Sequence, residues 1–162
     1  MTENEISYQV IGAIYKVYNE LGPGLLESVY EAALCYQLRK DGLKVENQVK
    51  LPVMYDGHVL PVDLRLDVLV EDKVIVELKS VVEMKAVYGK QLLTYLKISH
   101  LNLGLLVNFD TSDIRSSIHR VVNHLQFTLI YFISRLIMVL VTQISQIFVA
   151  MTYLRESQER SA

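Results

Sequence analysis

The chain reads as an α/β (α+β) domain, with helix, helix, three antiparallel strands, helix, strand and helix in that order. A mixed sheet of about four strands is expected between the helices. Three observations carry this reading. Apolar residues recur at helical spacing in the first forty positions, odd positions are apolar through 43–55 except at Asn47, and two short turns join apolar runs in 55–58 and 70–74. The chain has 162 residues, of which 51% are hydrophobic, enough to bury one core.

The first helix is drawn from Val10, Ile11, Ile14, Val17, Tyr18 and Leu21, and Leu21-Gly22-Pro23-Gly24 ends it. Glycine suits the left-handed cap, and proline cannot continue a helix. A second helix starts near Leu25 or Leu26, carries Val29, Tyr30, Ala33, Leu34 and Leu38, and stops before Gly42. Glu27 lies in its first turn, where the macrodipole by itself favours an acid.

Leu43, Val45, Val49, Leu51, Val53 and Tyr55 mark a half-buried strand, and Asp56-Gly57 supplies a two-residue hairpin. Pairing Tyr55 with His58 sets Val53 against Leu60, Leu51 against Val62, Val49 against Leu64 and Val45 against Val68. Pro52 and Pro61 then face each other, so the tip should fray or bend. The next turn, Glu71-Asp72-Lys73, sets Val70 against Val74, Val68 against Val76 and Leu66 against Leu78. All three strands would share one core face.

That register places Asp67 beside Glu77, Arg65 beside Lys79, and Glu46 across from Asp67. Like charges facing each other across a ladder repel. A divalent cation would remove the repulsion, since hard ions take oxygen ligands and use one or two carboxylates plus substrate oxygens. A solvated polar face explains the same acids without a metal, and is the better account of Glu46.

Leu92, Tyr95 and Leu96 place a helix over 88–98, with Gln91 and Tyr95 on one face and Gly89 at or before its start. Leu103–Phe109 is almost wholly apolar, the mark of a strand buried on both faces. After a helical crossover it is expected to lie parallel to its neighbour. Asp110–Asp113 offers turn and cap residues, and Ile114, Ile118, Val121, Val122 and Leu125 form the stripe of the last helix.

Sixteen basic against eighteen acidic residues give a net charge of −2, which is not the footprint of a protein held mainly by phosphate neutralisation. A local basic patch remains compatible with it. The lone Cys35 permits no internal disulfide and reads as a buried hydrophobe in a reducing compartment. The acidic N-terminus has no apolar run and is not read as a secretory signal, so a cytoplasmic location is expected. His58, His100, His119 and His124 lack partners at metal-ligand spacing and are read as surface residues in a turn, a loop and a helix.

Gly24-Leu25-Leu26-Glu27-Ser28-Val29-Tyr30 resembles the signature of the GxxExxY proteins, a group of small prokaryotic proteins assigned to the PD-(D/E)xK nuclease superfamily. Asp67 followed by Glu77-Leu78-Lys79 is similar to that superfamily's core, and Gln91-Leu92-Leu93-Thr94-Tyr95 to the glutamine motif of its exonuclease-like branch. The likeness spans roughly residues 6 to 125 in motif order as well as spacing. It implies a restriction-endonuclease-like core and a magnesium-dependent hydrolase acting on phosphodiesters, an endonuclease with DNA favoured over RNA. Asp67 and Glu77 would hold Mg²⁺, with Mn²⁺ as substitute, and Lys79 would position the attacking water. Glu27 would add a further acid, Gln91 would contact phosphate or water, and Tyr95 would support Gln91. Many members carry histidine where Tyr18 and Tyr88 stand. The resemblance thus implies a nuclease domain over 1–125, while a nuclease fold kept only for binding nucleic acid or protein stands as the alternative.

Residues 126–162 form an apolar tail outside that likeness. Leu136–Leu154 holds no charge, but Thr142, Gln143, Ser145, Gln146 and Thr152 make it a poor membrane span. Three readings stay open: a membrane helix, a helix packed on the domain or on a second copy in a homo-oligomer, and a foreign C-terminus.

Overall fold

The computed structural model describes residues 1–123 and, in the tail, the helical positions 133, 136, 137 and 140–144. The chain divides into two units, 1–123 and 124–162. The expected tail helix over 136–154, His124 and Leu125 fall mostly or wholly outside the described residues. Among those that are described, no helix is long and apolar enough to cross a membrane.

In the first unit the order is α1 (Glu3–Leu21), α2 (Glu27–Lys40), β1 (Val45–Tyr55), β2 (His58–Val70), β3 (Val74–Lys79), α3 (Ala86–Ser99), β4 (Leu103–Asn108), a 3-10 turn (Ile114–Ser117) and β5 (Ile118–Val122). The strands form one mixed sheet in sequence order, with β3 and β4 parallel and every other neighbour antiparallel. All six residues of β4 are buried, as its apolar run requires.

The last element differs from expectation: the stripe at Ile114–Val122 folds as a 3-10 turn and a fifth strand, not a helix. Its β-branched Ile118, Val121 and Val122 suit a strand, and β4 offers a free edge beside it. His119 consequently sits on β5, exposed, and His100 is the left-handed cap of α3. Gly89 lies within the first turn of α3 rather than before it.

Two helical layers cover the sheet. The α1/α2 side packs Ile6, Val10, Ile14, Leu34 and Leu38 on Val68, Val70, Val74, Val76 and Leu78. On the other side Leu92, Tyr95 and Leu96 of α3 pack on Leu66, Ile75 and Leu106. The expectation of a single shared core face therefore fails at one point. Leu66 belongs to the α3 side while Val68 and Val70 belong to the α1/α2 side, so strict alternation breaks at Asp67.

The strand registers agree in part with expectation. At the β1–β2 tip Tyr55 pairs with His58, but an irregularity between Pro52 and Met54 shifts the remainder by two residues. Leu51 meets Leu64, Val49 meets Leu66 and Val45 meets Val70, in place of Val62, Leu64 and Val68. Val53 forms no pair with Leu60, because the irregularity falls there. Proline has no N–H for the ladder, so the slip falls where Pro52 and Pro61 weaken it. A slip of two leaves each side chain on its own face, which is why apolar pairing was satisfied in either register. Glu46 lies across from Leu69, not Asp67, and its carboxylate is 3.1 Å from Lys44 Nζ.

Candidate active site

Tyr30 explains why the glycine-rich turn before α2 holds its shape. Its ring is fully buried and stacks on Phe109 at 4.4 Å between centroids. Its hydroxyl donates to Gly22 O at 2.6 Å and accepts from Leu25 N–H at 3.1 Å. Gly22 and Gly24 adopt φ of +68° and +93°, where a Cβ would be strained. Ser80 Oγ then donates to Leu25 O at 2.6 Å, tying this turn to the end of β3. Glu27, the first residue of α2, is thereby set against the C-terminal end of β3.

Val70–Val74 and Val68–Val76 pair as expected, and there the β2–β3 ladder ends. The expected Leu66–Leu78 and Asp67–Glu77 pairs are absent. Leu78 N–H instead donates to Asp67 Oδ2 at 2.9 Å, so a side chain occupies the place of a backbone acceptor. The two strands part at the residue that carries the acid.

Lys79 Nζ lies between the two carboxylates, 2.9 Å from Glu77 Oε1 and 3.9 Å from Asp67 Oδ2, and donates to Leu78 O at 2.7 Å. Its ammonium also stands 5.6 Å from the centre of the Tyr88 ring, within cation–π range. The side chains of Glu77, Lys79 and Asp67 are 3%, 12% and 17% exposed. Glu77 Oε2 is buried and has no hydrogen-bond partner in the described structure.

Such enclosure sets the charge states. Burial pushes the Glu77 carboxyl up to about 7, with repulsion from Asp67 and Glu27 adding to it and Lys79 opposing it. Burial likewise raises Asp67, against the Leu78 N–H and Lys79, and raises Glu27, against Lys79. For Lys79 burial works to lower the value, but the bond to Glu77 and the field of Glu77, Asp67 and Glu27 outweigh it and the value rises. Lys79 is therefore a fixed cation at neutral pH.

Of the residues singled out from sequence, Asp67, Glu77 and Lys79 meet directly, and Glu27 lies within their electrostatic reach. Gln91 and Tyr95 bond to each other, Nε2 to hydroxyl at 2.5 Å, one helical turn beyond Tyr88, and no described bond joins them to the carboxylates. The Tyr18 hydroxyl donates to Thr111 O at 2.5 Å, and no described bond joins it to the carboxylates. Sequence reasoning gave no role to Ser80 or to Asn108. The buried Asn108 amide accepts from Val81 N–H at 3.0 Å and donates to Val81 O at 2.8 Å, fixing the backbone that follows Lys79. A lone buried asparagine at the end of an apolar strand was the available signal.

Among the described residues no three His, Cys, Asp or Glu side chains converge as a metal cage. Asp67 and Glu77 nevertheless suit a hard cation that keeps other oxygen ligands: both are anionic oxygen donors, and one oxygen of Glu77 is buried without a partner. The Lys79 ammonium sits where it offsets part of their charge.

A family model described as the PD-(D/E)XK nuclease superfamily matches residues 4–121. No curated protein and no solved structure matches the chain.

Proposed function

Because the chain belongs to the PD-(D/E)XK nuclease superfamily, we propose that it hydrolyses phosphodiester bonds of nucleic acid with the help of a divalent cation, DNA being the preferred substrate. The superfamily implies a nucleic-acid substrate and the general use of divalent metal. The GxxExxY branch is supported by the task Tyr30 performs, bracing the turn that delivers Glu27.

The observation that carries the proposal is the partnerless, buried oxygen of Glu77, set beside Asp67 and an ammonium. A carboxylate oxygen enclosed without a donor is unfavourable unless a cation or proton meets it. Asp67 and Glu77 would hold Mg²⁺ or Mn²⁺, which when bound polarises a phosphoryl oxygen and acidifies water. Lys79 stays protonated, so its part is to orient the attacking water and to offset charge as the phosphoryl group becomes more negative. Glu27, whose carboxyl burial raises, offers a further acid that can accept or return a proton beside the site. Gln91, braced by the Tyr95 hydroxyl, presents its amide to phosphate from the same face of α3 as Tyr88. This machinery is assigned to residues 1–125, with 126–162 outside it.

Plasmid DNA and matched DNA and RNA oligonucleotides, incubated with Mg²⁺ or Mn²⁺, test the reading beside Asp67→Ala and Lys79→Ala. Cleavage by the wild type that both variants lose is expected. Equal cleavage by all three proteins would trace to a contaminant and end the proposal. Nucleic-acid binding without divalent-ion binding in calorimetry would identify a binding module instead.

A further inference from the structure

One turn beyond Glu27 on α2, Glu31 reaches across to β1. Its Oε1 accepts from Asn47 Nδ2 at 3.0 Å and its Oε2 from Gln48 Nε2 at 2.5 Å. Both oxygens are thus used on two consecutive residues of one strand. Gln48 sits at φ +53°, in the left-handed region that a side chain disfavours. The ladder pairs Asn47–Val68 and Val49–Leu66 bracket Gln48 and Asp67, which fall out of the regular pairing. The missing β1–β2 pair at Gln48, the change of face between Leu66 and Val68, and the end of the β2–β3 ladder after Val68 all coincide there.

We propose that Glu31 is a positioning residue for the active site: its carboxylate clamps Asn47 and Gln48, keeps β1 kinked, and so turns β2 away from β3 at Asp67. The gap this opens is the one in which the Asp67 carboxylate meets Leu78 N–H and stands within 3.9 Å of Lys79. In a continuous ladder that N–H would bond to backbone, and Asp67 would project from the sheet surface. Regular strand dihedrals are the lower-energy choice for glutamine, so an external tether must hold position 48. Glu31 supplies it from the same helix that carries Glu27, which couples two acids of the site through one rigid element.

The inference rests on the nuclease reading for its function, but its geometry can be measured separately. Three full-length variants suffice: Glu31→Ala, Gln48→Ala, and Glu31→Ala combined with Gln48→Gly. Glycine adopts positive φ without a Cβ penalty, so it keeps the kink when the tether is gone. Hydrogen–deuterium exchange of the Leu78 amide reads the geometry, Mn²⁺ calorimetry reads the site, and thermal unfolding verifies the fold. Each single variant is expected to speed Leu78 exchange and to weaken Mn²⁺ affinity or cleavage about 10- to 100-fold, the usual loss when a residue supporting a metal ligand is removed. The glycine double variant is expected to recover most of both. Unchanged Leu78 exchange in Glu31→Ala overturns the proposal, and so does a double variant no better than the single one. If wild type neither binds Mn²⁺ nor cleaves, the nuclease reading fails instead. The Leu78 exchange pattern tells the two failures apart.

Discussion

Replacing Glu77 by glutamine should stabilise the metal-free protein at pH 8 while abolishing its response to metal. The buried carboxyl is pushed from 4.5 up to about 7, mainly by loss of water. At about 1.4 kcal/mol per pH unit, that gap corresponds to about 3 kcal/mol. The folded state therefore holds a proton over a window, about 4.5 to 7, in which the unfolded chain has released it. Stability from this group is greatest below that window, falls as pH rises through it, and is flat above it. At pH 8 the fold bears the full cost of an enclosed anion. Glutamine removes the charge, and the bond to Lys79 that it forfeits is already counted in that shift. The net gain should be about 3 kcal/mol, or ~12 °C in Tm for a unit of this size. Differential scanning fluorimetry in a chelator, from pH 4.5 to 8.5, measures it, and the advantage of Glu77→Gln should shrink toward zero at the acid end. With Mg²⁺ or Mn²⁺ at 1,000 times Kd the order reverses, because binding then adds about 4.1 kcal/mol to wild type alone. A variant that melts lower than wild type in chelator at pH 8 would refute the argument from desolvation.

Other expectations follow from the same contacts. Tyr30→Phe keeps the Phe109 stack but loses two hydrogen bonds, so it should cost about 2 kcal/mol by denaturant titration and lower cleavage through Glu27. Gly104→Ala would place a Cβ 2.8–3.0 Å from the Leu92 side chain, and should cost about 1–3 kcal/mol in Tm measurements while pushing α3 off the sheet. Ending the chain after residue 125 should leave circular dichroism and metal-dependent cleavage intact, and comparing both forms by fractionation and light scattering tests the tail for membrane attachment or self-association.

The elements were legible where one periodicity ruled out the other. Odd-numbered apolar residues over 43–55, the turn at Asp56-Gly57 and the largely apolar run 103–109 mark β1 and β4, and helical spacing marks α1 and α2. Ile114–Val122 was not legible, because a short apolar stretch fits either period and only the open edge of β4 selects a strand. The β1–β2 register was ambiguous for a related reason: slips of two conserve faces, and backbone hydrogen bonding at the prolines settled the choice.

What the sequence determined is chemical identity and order: Glu27, Asp67, Glu77 and Lys79, in an order that resembles the superfamily's motifs, on elements whose periodicity can be read directly. What tertiary structure decided is how those groups meet. A flat ladder would have left two acids side by side on a sheet surface. Instead β2 leaves β3 at Asp67, Leu78 N–H turns to that carboxylate, and Lys79 enters between the acids as burial lifts Glu77 toward neutrality. Side-chain alternation is a local property, written residue by residue. The tether we propose for the kink that breaks it is a carboxylate seventeen positions from Gln48 in the chain, and the burial of Glu77 is set by tertiary packing. Neither is encoded in any single stretch of sequence.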